Sequence, residues 1–213
     1  MFFGLRGGVN LANQKQENLT DSETISARTL LLAGGQFDYW FNDSWAMSFQ
    51  LLYNQKGAHL GMNVGEFAFL GILGLSSADW IGKYLEIPLL VKASLSNGAV
   101  RPYIFAGPSF GILLSNTEVL HYTGHTFAFG PPGVALSSDT TANITDSTAK
   151  IDFSIVAGAG ISVTLDSGPV LFLEAAYAFG LTNVDNYFAD NANDRYIYSR
   201  DIRIAAGVMF PLN

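Results

Sequence analysis

The stretch "WAMSFQLLYNQK", residues 45–56, decides the fold. Large apolar side chains occupy its odd positions from Trp45 to Tyr53, whereas most even positions hold small or polar side chains such as Ser48 and Gln50. Successive side chains of a β-strand point to opposite faces of the sheet, so this alternation predicts a strand. The apolar face could cover a soluble core or face lipid in a membrane barrel, and the rest of the chain has to distinguish the two.

The composition is unusually poor in charge. The chain has 213 residues, enough for one large all-β domain, and we expect a single domain over residues 1–213. Only 14% of the residues are charged, beside the roughly 25% usual for soluble domains. The most apolar stretch, residues 67–82, is interrupted by two serines, an aspartate and three glycines, so it is not expected to form a spanning helix. The net charge of −7 and the lack of a basic patch argue against nucleic-acid binding.

Eight segments show strand-like alternation, and their connections alternate between short and long. The segments are residues 2–12, 30–41, 45–56, 83–94, 100–114, 152–165, 170–181 and 200–212. The short connections, at 42–44, 95–99 and 166–169, are rich in turn residues, and the long ones are 13–29, 57–82, 115–151 and 182–199. Regular alternation places all long loops at one end, as in outer-membrane barrels. The sequence therefore predicts an all-β fold, an eight-stranded antiparallel up-and-down transmembrane β-barrel with three short turns and four long loops.

The size of the side chains on the apolar face determines whether that face points to the lipid or into the lumen. Eight strands enclose an interior only just wide enough for side chains, so the large apolar set does not fit inside. The glycines of "AGAGISV" lie on the smaller face, where we expect them to make room for large lumen neighbours. The lipid-facing residues are predicted to include Trp45, Met47, Phe49, Leu51, Ile155, Ile161, Leu173 and Ile204.

The small and polar face also carries charges, which a barrel of this size confines in its lumen. Counted from the short-turn end, one group lies low and a second group lies higher. Charges confined in this way must be paired, which predicts a plug that closes the lumen, with a narrow pore for ions or small solutes as the alternative. The predicted lumen network is Arg6, Asp38, Glu86, Lys92, Arg101, Glu174 and Arg203. Of these, Glu86 and Arg203 belong to the higher group, together with Lys56, Asp152 and Asp201.

No motif selects a catalytic or metal site. The three histidines, His59, His121 and His125, all lie in predicted long loops. The pair in "HYTGH" has no third ligand beside it, and Gly124 disfavours a helix there, so we expect neither a metal nor a cofactor. His59 or His121 could serve as the base of a barrel-rim hydrolase, but no motif identifies a nucleophile, and we expect the protein not to be an enzyme.

The longest predicted loop, residues 115–151, is the candidate interaction segment. Its 37 residues far exceed the ~12–15 at which an unstructured loop becomes unusual. Four apolar residues within "TFAFGPPGVAL" are predicted to pack over the barrel mouth or against an envelope or surface protein; they are Phe127, Phe129, Val134 and Leu136. A solvated loop without a partner is the alternative. Outer-membrane lipid is the other expected partner.

The chain resembles the PorT-like outer-membrane β-barrel proteins, a family abundant in Bacteroidota. The resemblance rests on "GLRGGVNLA", "YLEIPLLVK", "RPYIFAGPSFG", "AGAGISV" and "LEAAYAFGLTNV" and spans essentially the whole chain. It implies an outer-membrane location and a barrel of about this size, but no single activity, because most members are uncharacterised and a few are linked to protein secretion. Two features depart from the expected pattern: the chain ends in "MFPLN" rather than in an aromatic residue, and no signal peptide precedes the first strand. We expect an exported form to have had its leader removed.

Overall fold

The described part of the chain folds into ten antiparallel strands. A computed structural model of the chain describes residues 1–16, 23–62, 74–125, 135–166, 168–183 and 197–212. A single turn of 3-10 helix, Thr145–Ser147, precedes β8. The strands are β1 (Phe2–Gln16), β2 (Glu23–Ser26), β3 (Arg28–Trp40), β4 (Trp45–Met62), β5 (Gly74–Ser94), β6 (Val100–His125), β7 (Ala135–Asn143), β8 (Ile151–Thr164), β9 (Val170–Gly180) and β10 (Ile197–Pro211).

Eight of the strands close into a ring. The order around the ring is β1, β3, β4, β5, β6, β8, β9 and β10, and β10 pairs back onto β1 with Phe2 opposite Pro211. Closure satisfies the backbone hydrogen bonds of every ring strand on both sides, as a hydrocarbon environment requires. The predicted eight-stranded up-and-down barrel is confirmed. Over the described part of the chain, no helix is long and apolar enough to cross a membrane.

The three short connections lie at one end of the ring, together with both ends of the described chain. They occupy residues 41–44, 95–99 and 165–169. The first is fixed by Asn42, whose side-chain Oδ1 accepts hydrogen bonds from the backbone N–H groups of Ser44 and Trp45, both at 2.9 Å. Turn-forming residues thus produce the tight reversals that the sequence predicts.

The long connections contain more strand than the sequence predicted. β4 continues to Met62, β5 begins at Gly74 and β6 continues to His125, although these parts were expected to be loop. β7 also falls inside the predicted loop 115–151 and pairs with β6 from Thr117 to His125. The alternation that marks a strand depends on one face meeting lipid and the other the lumen. Above the membrane neither applies, so the pattern is lost while the hydrogen bonds continue.

These extensions form one sheet that rises above the ring on one side. We call it the raised sheet and define it as β2, residues 57–62 of β4, residues 74–82 of β5, residues 116–125 of β6, and β7. Its strand order is β2, β4, β5, β6, β7, because β2 pairs with β4 and β7 pairs with β6.

The apolar face of the ring points outward. Residues on that face stay exposed, whereas alternate residues of the same strand, such as Ser48 and Gln50, are at most 2% exposed. This arrangement reverses that of a soluble barrel and presents an apolar surface to lipid. The eight predicted lipid-facing residues, Trp45, Met47, Phe49, Leu51, Ile155, Ile161, Leu173 and Ile204, are all between 42% and 53% exposed.

Two glycines of β8 admit large side chains into the lumen. A Cβ added at Gly160 would lie 2.6 Å from the Tyr103 ring, and one at Gly158 would lie 2.6 Å from the Phe105 ring. Both distances are below van der Waals contact, so the aromatic rings occupy space that any other residue at 158 or 160 would need.

Candidate functional site: the lumen charges and the raised sheet

A layer of four charged side chains closes the lumen nearest the short turns. Arg6 Nη2 lies 2.7 Å from Glu174 Oε2, and Lys92 Nζ lies 3.1 Å from Asp38 Oδ2 and 3.2 Å from Glu174 Oε1. The Tyr103 hydroxyl donates a further hydrogen bond to Glu174, at 2.8 Å. We call Arg6, Asp38, Lys92 and Glu174 the lower layer. Its two positive and two negative groups balance, and all four are at least nine-tenths buried.

A second layer of charged side chains lies higher in the lumen. Lys56 Nζ lies 2.5 Å from Glu86 Oε1 and 2.6 Å from Asp152 Oδ2. Arg203 Nη1 lies 2.9 Å from Glu86 Oε2, and Asp201 is held more loosely, with its Oδ2 3.5 Å from Arg203 and 3.8 Å from Lys56. We call these five residues the upper layer. They come from β4, β5, β8 and β10, so the layer ties together strands on different sides of the ring.

Buried apolar side chains lie in the lumen between the two layers, together with buried polar ones such as Gln50 and Ser154. On β5, Leu90 lies between Lys92 of the lower layer and Glu86 of the upper layer. Leu90 packs in a buried cluster with Tyr103, Phe105 and Val156. A second buried cluster, of Leu32, Leu52 and Ala205, covers the wall formed by β3, β4 and β10. An ion passing through would meet a charged layer, a zone of buried side chains that includes two apolar clusters, and a second charged layer in turn.

Arg101 does not belong to the network, contrary to the sequence prediction. It is the second residue of β6, and its Nε donates to the carbonyl of Gly98 in the adjacent short turn, at 3.0 Å. The inward position nearest Glu174 is taken by Tyr103, two residues further along the same strand. The prediction estimated the height of each residue by counting from the short turns and ignored the stagger between strands. That stagger places Arg101 below the lower layer.

Arg101 instead lines a vestibule at the short-turn end. This cup has a volume of about 260 Å³, and Asp38 and Lys92 of the lower layer form part of its lining. Trp40 and Phe172 contribute aromatic walls. The vestibule therefore reaches the lower layer from the short-turn side.

Sequence reasoning missed several neutral partners of these charges. Gln36 accepts a hydrogen bond from Arg6 Nη1 at 3.0 Å, and Phe172 lies under both Arg6 and Lys92, 5.7 and 5.9 Å from its ring centroid. Tyr84 lies under Lys56 at 5.3 Å. A signal for Gln36 was available, because it shares the inward face of β3 with Asp38. The same signal was available for Phe172, which shares the inward face of β9 with Glu174, and for Tyr84, which shares that of β5 with Glu86, although both side chains resemble lipid-facing ones in kind.

Two of the three histidines meet on the raised sheet. His59 Nδ1 lies 2.6 Å from Asp79 Oδ1, and His121 Nε2 lies 3.3 Å from Asp79 Oδ2. The other ring nitrogen of His121 lies 2.8 Å from Asp139 Oδ1 on β7. Arg28 Nη1 completes the group at 2.9 Å from Asp79 Oδ1. These residues lie on five different strands: four belong to the raised sheet, from β4 to β7, and Arg28 connects the group to β3 of the ring.

His121 bonds carboxylates through both ring nitrogens. A neutral imidazole carries one N–H, so two such hydrogen bonds require the charged, doubly protonated ring. The hydrogen bonds to Asp139 and then to Asp79 raise the pKa of His121 above its usual value. Burial alone would raise the pKa of Asp79, but hydrogen bonds from His59 and His121 and the charge of Arg28 outweigh it and lower that pKa.

The group does not form a metal site or a complete catalytic constellation. Among the described residues, no three His, Asp, Glu or Cys side chains are placed to hold a metal ion together. His59 has an orienting carboxylate, as a general base needs, yet in the described ranges no serine or threonine hydroxyl is hydrogen-bonded to it. The side chain of His125 lies outside the described residues.

The predicted interaction residues fall largely outside the described part of the chain. Phe127, Phe129 and Val134 are not among the described residues, and Leu136 is described only through its backbone position in β7. Their predicted packing therefore remains a prediction.

The closed ring, the outward apolar face and the polar lumen together define a transmembrane β-barrel of the outer-membrane class. The sequence agrees: residues 1–186 match the family described as outer membrane protein beta-barrel domain. The chain belongs to that family, and its place is the bacterial outer membrane. None of the curated proteins compared with the chain matches it in sequence.

Several solved structures share the fold at low sequence identity. The outer membrane protease OmpT from Escherichia coli is 10% identical, with a TM-score of 0.50 over 99% of this chain and 96% of that chain. OprG from Pseudomonas aeruginosa is 12% identical, with a TM-score of 0.49 over 99% and 96%. Neisserial surface protein A is 14% identical, with a TM-score of 0.48 over 99% and 97%. These likenesses concern the fold alone, and because one is a protease, the fold does not exclude catalysis.

Proposed function

We propose that the protein is a sealed, non-enzymatic anchor in the outer membrane that holds the raised sheet and its loops at the cell surface to bind another protein. The close packing of the lumen is the observation that supports this proposal. Two layers of buried ion pairs and the buried side chains between them leave little role for the interior except to brace the ring. The part of the molecule that reaches outside the membrane is the raised sheet.

Two further proposals remain from the sequence. A narrow pore is supported by the vestibule that reaches the lower layer, and conductance measurements distinguish a pore from an anchor. A barrel-rim hydrolase is supported by the His59–Asp79 pair; hydrolysis that is abolished by His59→Gln would favour it.

We also propose that the chain belongs to the PorT-like branch, for which the five quoted motifs are the support.

The binding role is tested by removing the hairpin that β6 and β7 form. Thr117 and Asn143 are directly opposite each other, so an Asn-Gly turn can replace residues 118–142 without spreading the strands. We expect the variant to insert normally, because both charge layers and the lipid face lie outside the replaced segment. Any surface or secretion phenotype of the intact protein should be lost. Normal insertion with an unchanged phenotype would contradict the proposal.

A matched control replaces a different long connection. Residues 63–73 join β4 to β5 and belong to neither β6 nor β7. Replacing them with a short turn keeps the hairpin, so the phenotype should persist if the hairpin carries the binding role.

A further inference from the structure

The raised sheet has an open edge, unlike the ring beneath it. β7 pairs with β6 along one side for nine residues, from Ala135 to Asn143. Among the described residues, no strand pairs with the other side of β7. Along that side, the backbone N–H and C=O groups that point away from β6 form a regular row of hydrogen-bond donors and acceptors, as on any edge strand. The opposite edge of the sheet, β2, is only four residues long.

Apart from the charge of Asp139, the sequence of the β7 edge lacks the features by which edge strands usually avoid new pairing. Its sequence, "ALSSDTTAN", contains no proline, lysine or arginine. Its register with β6 runs without a bulge from Thr117 opposite Asn143 to His125 opposite Ala135. The residues from 137 to 141 are exposed. The edge is therefore regular, polar and accessible.

One contact holds this edge in place. Asp139, at the centre of β7, bonds His121 on β6 through its Oδ1, and His121 in turn bonds Asp79 on β5. Side-chain contacts thus hold β7 on the sheet, in addition to its backbone hydrogen bonds with β6. An edge ordered in advance loses less conformational entropy when a partner pairs with it.

We propose that the open edge of β7 binds an extended segment of another protein as an added β-strand, with a basic residue of that segment opposite Asp139. This inference rests on the proposed function and names the form of the partner. A row of alternating backbone donors and acceptors is complementary to another extended backbone. Asp139 is the only charged residue of β7, and its side chain is 65% exposed, so the complementary residue is basic.

A second copy of this chain fits the edge poorly. Full antiparallel pairing of two β7 strands about a two-fold axis centres on residue 139, because β7 runs from 135 to 143. This pairing sets the two Asp139 carboxylates directly opposite each other, and like charges in that position are destabilising. The partner is therefore a different polypeptide.

The test uses the full chain in detergent micelles and a peptide of stated sequence, acetyl-Thr-Val-Thr-Thr-Arg-Thr-Val-Thr-Thr-amide. Two modified peptides carry backbone N-methyl groups on alternate residues, one on the odd set and one on the even set. In an added strand only one set of peptide amides points at β7, so one modified peptide should lose about tenfold or more in affinity while the other retains binding. Bound peptide should also slow amide hydrogen exchange in β7.

A charge exchange supplies a second measurement. Asp139→Lys should weaken binding of the arginine peptide, and a peptide with Glu in place of Arg should regain affinity for that variant. The matched control is Asp146→Lys, which lies beyond the end of β7 and should leave arginine-peptide binding unchanged.

Each outcome is decisive. No binding of the unmodified peptide, or equal effects of both N-methyl sets, would overturn the added-strand inference. If the peptides fail while the phenotype still depends on residues 118–142, the proposed function stands and binding lies elsewhere on the hairpin. If the phenotype survives that replacement, the proposed function itself fails.

Discussion

Lys56 on β4 reaches across the lumen to Asp152 on β8, with 2.6 Å between Nζ and Oδ2. These strands are not neighbours in the ring, because β5 and β6 lie between them. The same ammonium contacts Glu86 on β5, so one side chain joins three strands. A buried lysine at 4% exposure is tolerable only because several carboxylates surround it.

Removing this ammonium should destabilise the barrel strongly. Lys56→Met keeps the length of the side chain but leaves Glu86 and Asp152 without their short ion pairs. Breaking a buried ion pair by removing one partner typically costs about 3–5 kcal/mol. The measurement is urea-induced unfolding of the protein folded into lipid vesicles.

Lys83→Met is the control for the loss of a lysine. Lys83 is opposite Gln55 on the outward face of β5, above the apolar band, and takes no part in either charge layer. Its replacement should change the free energy of unfolding little. Equal losses for the two variants would show that the upper layer does not brace the ring.

The direction in which β4 faces can be tested by substitution in the apolar band. Phe49 lies mid-strand and is 45% exposed on the outer face, where arginine costs about 2–4 kcal/mol at the bilayer midplane. Phe49→Arg should reduce folding into vesicles accordingly. Ser48→Ala, at the adjacent lumen-facing position, should have little effect.

A fluorophore attached at each position checks the same register independently. Single cysteines at 48 and 49 are labelled and exposed to a quencher confined to the lipid phase. The label at 49 should be quenched more strongly. Stronger quenching at 48 would mean that the strand faces the opposite way.

The hairpin of β6 and β7 should loosen as the pH rises. His121 gains carboxylate partners on folding, so its pKa in the folded protein is raised above the unfolded value of about 6.5. Its contribution to stability is then full below the unfolded pKa and is lost as the pH rises through the folded pKa. Amide exchange in β7, corrected for the intrinsic rate, should accelerate across that range.

His121→Asn provides the comparison for this pH effect. The amide side chain retains hydrogen-bonding capacity but does not titrate, so the pH dependence of β7 exchange should disappear. If the dependence persists in the variant, another group controls the hairpin.

The ring was predictable because its environment imposes a strict pattern. Lipid on one side and a narrow lumen on the other force large apolar residues such as Phe49 outward and small or polar ones such as Ser48 inward. The two levels of lumen charge were also predictable, because strand position sets height approximately. Arg101 was misplaced because the stagger between strands is not visible in one sequence.

The raised sheet was not predictable by the same reasoning. In residues 116–125 and 135–143 the strands lie above the ring, where no lipid and lumen impose opposite faces, so apolar and polar residues no longer alternate. The group around Asp79 joins five strands, and their relative register depends on bulges near Leu75 and Lys83 that carry no sequence signature. Such contacts depend on three-dimensional pairing rather than on local pattern.

Single-channel recording in a planar bilayer tests the central claim, a sealed lumen, most directly. The unmodified barrel, shown to be folded by its heat-modifiable gel mobility, should give no stepwise currents at any polarity. Cleavage of the long connections by protease added to vesicles made from the same preparation shows independently that the barrel is inserted. Discrete cation or anion steps from the unmodified barrel would contradict the account and make the protein a pore.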